Sequence, residues 1–137
     1  MAYKKEDIIR YRIDKSRSCY IEIELCLEKE LFHLAEDRIY YSLYYSVSAL
    51  AALNNFSKSK HKQLQGWFNR EFIKTKIFPV EFSKIYAIAF ERRQKGDYDD
   101  FVTFTRDEVE NDYRNVKEMN EAIWAYIDSV LSQQKKE

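Results

Sequence analysis

A chain of 137 residues fits one domain, large enough to bury roughly two thirds of the surface its unfolded form exposes. With 45% hydrophobic and 34% charged residues but only two glycines and one proline, it lacks the turn residues of an all-β sandwich or barrel, so long helices joined by short loops are expected. Twenty-three Lys and Arg balance 23 Asp and Glu, so no whole-molecule field recruits nucleic acid or a membrane.

The first helix is expected from residue 5 to about residue 32. Ile9, Ile13, Tyr20, Ile23, Leu27, Leu31 and Leu34 recur at steps of three and four, as in the seam of a helical bundle. Cys19 and Cys26 lie on it, separated by roughly 10 Å along the axis, which is beyond disulfide reach. Two thiols without a metal-ligand spacing, after a charged start with no signal-peptide core, point to a reducing cytoplasm.

A second helix, residues 35 to about 54, carries an uncharged run from Ile39 to Phe56. The run is long enough to raise a membrane span, but its serines, asparagines and tyrosines favour a central bundle helix buried on most sides. Tyr40, Tyr41, Tyr44 and Tyr45 repeat a pair at helical spacing. Tyr41, Tyr44 and Tyr45 share a face suited to a subunit interface or a base-stacking surface, or to core packing with hydroxyls at the rim. His33, between Phe32 and Leu34, reads as a packed or capping residue.

A basic loop precedes a third helix, residues 60 to about 74, with Leu64, Trp67, Phe68 and Phe72 on one side. Lys60 and His61 open that helix, where charge and free amides suit phosphate as well as solvent. Pro79 fits the first turn of a fourth helix ending near Lys95. Its apolar face holds Phe82, Ile85, Tyr86, Ala89 and Phe90. Arg93 falls near the centre of that face and Arg92 on its flank, and both are candidate phosphate ligands. A guanidinium along a buried stripe must meet an acceptor or line a cleft; Asp97 and Tyr98, past a helix-ending Gly96, are the nearest partners.

Thr105 and Glu108 form a capping box for a final helix whose seam, Val109, Tyr113, Val116, Ile123, Ile127 and Val130, runs to about Leu131. Residues 133 to 137 are expected as a disordered tail. Residues 1 to 20 and 56 to 76 are locally basic, and residues 97 to 113 acidic. Asp97, Asp99 and Asp100 lack an EF-hand pattern, and neither a metal site nor a cofactor is expected. The whole is an all-α, up-and-down bundle of about five helices in a single domain.

Four segments in this order resemble the HEPN domains: Asp37-Arg38-Ile39-Tyr40-Tyr41-Ser42-Leu43-Tyr44-Tyr45, Ser59-Lys60-His61, the stretch from Phe68 to Phe72, and Arg93-Gln94-Lys95-Gly96-Asp97-Tyr98. The resemblance covers roughly residues 8 to 130. It implies a homodimeric bundle, often encoded beside a minimal nucleotidyltransferase, with the arginine region lining a cleft near the dimer interface. Many HEPN proteins are RNase toxins with the motif Arg, four to six residues, then His. Neither His33 nor His61 completes that motif here; the chain is similar instead to the branch with Arg, three residues, then Asp-Tyr, at Arg93, Asp97 and Tyr98. The resemblance therefore implies a cytoplasmic nucleotide- or RNA-binding partner of a nucleotidyltransferase, with no membrane role. The alternative is a metal-independent endoribonuclease toxin using Arg93 with Tyr98, or His61 brought near by folding. A purely structural Arg93 to Asp97 contact is the third reading.

Overall fold

The computed structural model describes residues 3–57 and 60–136. These form five α-helices: α1 (Lys5–Glu28), α2 (Phe32–Leu53), α3 (His61–Phe68), α4 (Glu81–Tyr98) and α5 (Arg106–Lys136). A π-helical turn, Asn69–Ile73, continues α3. Lys58 and Ser59, part of the basic loop, lie outside the described residues.

The uncharged helix is the axis of the bundle: α2 packs against α1, α3, α4 and α5. Twelve of its residues are buried, including Ile39, Tyr40, Leu43, Val47 and Leu50. Among the described residues no helix is long and apolar enough to cross a membrane. The serines of α2 are used inside. Ser16 of α1 donates to the Ser42 carbonyl at 2.6 Å and lies 2.9 Å from the Ser46 hydroxyl. Asn120 of α5 donates to Ser42 and to the Tyr20 hydroxyl, both at 3.2 Å, and Trp124 Nε1 donates to Ser46 at 2.8 Å. These buried hydrogen bonds form in one register only and so fix how three helices meet, although Asn120 Oδ1 is buried without a partner.

Helix ends depart from the expected ones, for one physical reason. The α1 and α2 C-termini are closed by Glu30 (φ 58°) and Asn55 (φ 60°) in the left-handed region. In each, the next amide reaches back to the helix, Leu31 to Cys26 O at 2.8 Å and Phe56 to Ala51 O at 2.9 Å, the double closure that glycine usually enables. α1 thus stops at Glu28, and Leu31 and Leu34, expected in the seam, are 51% and 49% exposed. Gly96 does not end α4, which continues through Asp97 to Tyr98. Nor is residue 133 onward a disordered tail, since α5 stays helical to Lys136; Glu137 lies outside the described residues.

The Thr105 half of the capping box forms, the Glu108 amide donating to Thr105 Oγ1 at 3.2 Å, while the Glu108 carboxylate accepts from the Thr105 hydroxyl at 3.2 Å and from Arg92 at 2.8 Å. Phe68, Phe72, Phe78 and Phe82 pack in series, with neighbouring centroids 5.6 to 5.9 Å apart. Cys19 and Cys26 are buried free thiols, and burial pushes Cys19 up to about 11, which makes it inert.

The two glycines separate cleanly. A Cβ at Gly96 would meet Phe104 at 3.4 Å, whereas at Gly66, inside α3, it would meet nothing within 4 Å. Gly66→Ala is therefore expected to stabilise the fold by about 0.5 to 1 kcal/mol through helix propensity. Urea denaturation checks this as a raised midpoint at unchanged slope; a lowered midpoint would contradict the free space at this position.

Candidate functional site

Arg93 projects from α4 onto the first turns of α2. Its side chain is 17% exposed, with Nε 3.5 Å from Asp37 Oδ1 and Nη2 3.6 Å from Asp97 Oδ2. The guanidinium lies over the rings of Tyr41 at 5.1 Å and Tyr40 at 5.6 Å, close enough for cation–π attraction. Both carboxylate contacts are too long for charged hydrogen bonds, and Nε is buried without a hydrogen-bond partner. Asp37 is shared: its other oxygen accepts from Arg38 at 2.8 and 3.1 Å.

The fold brings His61, the first residue of α3, to the same ring cluster. Nδ1 lies 2.5 Å from the Tyr40 hydroxyl, and the imidazole packs on Tyr44 at 4.7 Å. Burial, and then the Arg93 charge, hold its pKa below the usual histidine value, so the ring is neutral near pH 7. Burial likewise raises the Tyr40 phenol, so a protonated hydroxyl and a neutral imidazole share one hydrogen bond at Nδ1; with the hydroxyl as donor, the imidazole proton is on Nε2. Arg93 and His61 thus flank a fully buried tyrosine, one offering guanidinium donors and the other a neutral N–H.

Other sequence candidates fall elsewhere. Asp97 is half-exposed beside Arg93, and Tyr98 is 80% exposed at the end of α4. Lys60 is exposed beside His61. Tyr41, Tyr44 and Tyr45 are half-buried, and each meets a group of its own chain: Arg38 and Arg93 on Tyr41, His61 on Tyr44, Lys15 on Tyr45. His33 sits against Phe104, its Nδ1 3.4 Å from the Gly96 carbonyl. No three His, Cys, Asp or Glu among the described residues converge as metal ligands.

Arg92 faces the opposite way, into a cluster of acids. Nη1 donates to Glu108 at 2.8 Å and Nε lies 2.7 Å from Asp112 Oδ2. Behind Asp112 sits Glu36, 1% exposed. Burial, then the neighbouring Asp112 carboxylate, push Glu36 up to about 9; burial raises Asp112 as well, against the Glu36 hydrogen bond and the Arg92 charge that lower it, so the pair holds a proton near neutral pH. The folded state therefore binds this proton more tightly than the unfolded chain from about pH 4.5 to about 9, and stability falls as pH rises through that window. Glu36→Gln should leave stability at pH 5 nearly unchanged and raise it by about 1 to 3 kcal/mol at pH 8, read as parallel thermal melts. An equal shift at both pH values would contradict a neutral Glu36.

Asp37 and Tyr40 are the site residues that sequence reasoning missed. Both stand inside the Asp37 to Tyr45 segment that carried the family resemblance, which was the available signal.

A helical bundle with an arginine set over paired tyrosines defines a class, and the comparisons give its family. The HEPN domain family model matches residues 9–125. A UPF0332 protein from Thermotoga maritima is 39% identical over 127 residues, covering 93% of this chain and 96% of the relative. A protein named "Putative toxin MJ0142" from Methanocaldococcus jannaschii is 32% identical over 110 residues, covering 80% of this chain and 74% of that protein. The chain belongs to the HEPN domain family.

Proposed function

We propose that this protein binds a nucleotide or RNA phosphate at Arg93 and His61, and works as a homodimeric cytoplasmic partner of a minimal nucleotidyltransferase in a toxin–antitoxin-like pair. The observation that carries the reading is Arg93 itself. Its guanidinium is oriented by two aromatic faces and two long carboxylate contacts, and its side chain keeps 17% of its surface exposed. Such a group retains donors for a phosphate, to which arginine is geometrically matched. His61, held neutral by burial and the Arg93 charge, adds a second donor at Nε2 when the Tyr40 hydroxyl donates to Nδ1. The toxin named among the relatives supports the wider setting. Exposed apolar side chains at Ile21 (76%) and Leu25 (54%) on one face of α1 supply surface for a second copy.

A second reading, a metal-independent endoribonuclease, is favoured by one specific observation: the imidazole does stand beside the arginine although the sequence motif is absent. Against it, Tyr40 occupies Nδ1, and a phosphate-transfer step needs both a base for the 2′-hydroxyl and an acid for the leaving oxygen. Copurification with the product of the adjacent gene, followed by an RNA cleavage assay on each component, tests both. Association without cleavage by this chain alone supports the binding reading. Failure to associate overturns the partnership, and cleavage abolished by His61→Ala establishes the second reading.

A further inference from the structure

We propose that the open groove between the first half of α1 and the second half of α2 holds a single-stranded polynucleotide, with its phosphates on Lys5, Arg12 and Lys15 and its bases on Tyr11, Tyr44 and Tyr45. This inference rests on the polynucleotide-binding reading above and assigns it a second surface, away from Arg93. The groove has a volume of about 610 Å³, within the range of ligand sites, and Phe56 and Leu64 are among its lining residues. Three cations line it and no carboxylate does, although the chain as a whole is neutral. That segregation is not general to this surface. A comparable depression on α5 is lined by Glu110, Glu118 and Glu121 as well as Arg114 and Lys117.

The cations and rings are interleaved. Lys15 Nζ lies over Tyr45 at 5.0 Å and over Tyr11 at 5.6 Å. Arg12 is anchored by donating to the Ser48 carbonyl at 2.9 Å, which orients its charge without neutralising it. Tyr11 is 62% exposed, a large ring left at the surface where water is a poor neighbour for its faces. Tyr44 and Tyr45 meet edge to face, 5.6 Å apart. Alternating positive charge and rings, with Tyr11 exposed and Tyr44 and Tyr45 half-buried, suit a strand whose bases are unpaired, because a duplex hides the base faces that stack on such rings. The groove also leads to the first site: Tyr44 lines it and packs on His61 at 4.7 Å. A strand lying along α1 from Lys5 to Lys15 covers about 15 Å of helix and lies over Tyr44 and Tyr45, the first of which packs on His61.

Fluorescence anisotropy of the full chain with a short labelled oligouridylate tests the groove, with the matching oligodeoxyribonucleotide and an RNA duplex as further arms. Tyr11→Ala is expected to weaken single-strand binding about 5- to 100-fold. Lys5→Gln with Lys15→Gln should lower the slope of log affinity against log salt by about 1.4, two single-strand phosphates' worth, while the exposed control Lys84→Gln changes nothing. The duplex should bind more weakly than either single strand, and equal binding of the two single strands would show that the 2′-hydroxyl is not read. Groove variants that bind like the wild type while Arg93→Gln loses binding overturn the groove and leave the first site standing. Loss in the groove variants with Arg93→Gln and His61→Ala unaffected does the reverse. Competition by polyglutamate that depends on Lys5 and Lys15 but not on Tyr11 identifies an acidic peptide as the occupant and overturns the proposal, as does a wild type that binds no oligonucleotide.

Discussion

Arg92→Ala is expected to destabilise the bundle by about 3 to 5 kcal/mol, the cost of leaving buried charge without its counter-ion, or on the order of 10 to 20 °C in thermal midpoint for a chain of this size. Arg92 supplies the cation that faces Asp112 and Glu108, with Glu36 behind them. Its removal leaves three carboxyl groups close together, two of them on residues that are 1% and 6% exposed. The loss should be smaller at pH 5 than at pH 8, because protonation relieves the repulsion. Adding Glu36→Gln to Arg92→Ala should recover part of it, giving a coupling energy that a double-mutant cycle measures. A loss below about 1 kcal/mol, in the range of exposed ion pairs, would show that Arg92 is not the bundle's internal counter-ion and would return it to the set of candidate phosphate ligands.

Arg93→Gln should behave in the opposite manner, with a small effect on folding and a large one on binding. Asp37 keeps its short bonds to Arg38 when Arg93 is gone, so the fold should lose only about 1 kcal/mol. Oligonucleotide affinity should fall about 10- to 100-fold, as expected for a charged hydrogen bond to phosphate. Asp97→Asn supplies the counter-test. Asp97 Oδ2, 3.6 Å from Nη2, competes with a phosphate for the same donors, so its neutralisation should strengthen binding several-fold. Unchanged affinity in Arg93→Gln together with a large loss of stability would make the Arg93 contacts purely structural.

The helical pattern of this chain was readable because burial follows helical periodicity closely. Ile9, Ile13, Ile23, Tyr86, Val109, Val116 and Ile127, all placed in seams by spacing, are buried, and the uncharged run is the central helix. The ends were less legible. Glycine and periodicity both misled there, because Glu30 and Asn55 adopt the left-handed conformation that a search for glycine overlooks, and Gly96 serves close packing against Phe104 instead. Arg93 was legible from its place on an apolar face. Of what it meets, Asp97 was legible one turn further on, but Asp37 and Tyr40 are more than fifty residues away in sequence, and His61 joins them through Tyr40 on a different helix. No local pattern encodes such a meeting. It arises because α2 packs against both α3 and α4. The division of labour between adjacent arginines, Arg93 toward the tyrosines and Arg92 toward the acids, follows from the roughly 100° turn between successive helical residues and from which neighbouring helix each then faces.

The chain has two histidines, one beside Arg93 and one against Phe104, so its imidazole NMR spectrum reports the central claim with an internal control. Titration of the full chain with an oligoribonucleotide should shift the His61 ring signals saturably and leave those of His33 in place, and Arg93→Gln should abolish the response. Binding that leaves the His61 signals unmoved would place the ligand away from Arg93 and His61 and contradict the site assigned to this protein.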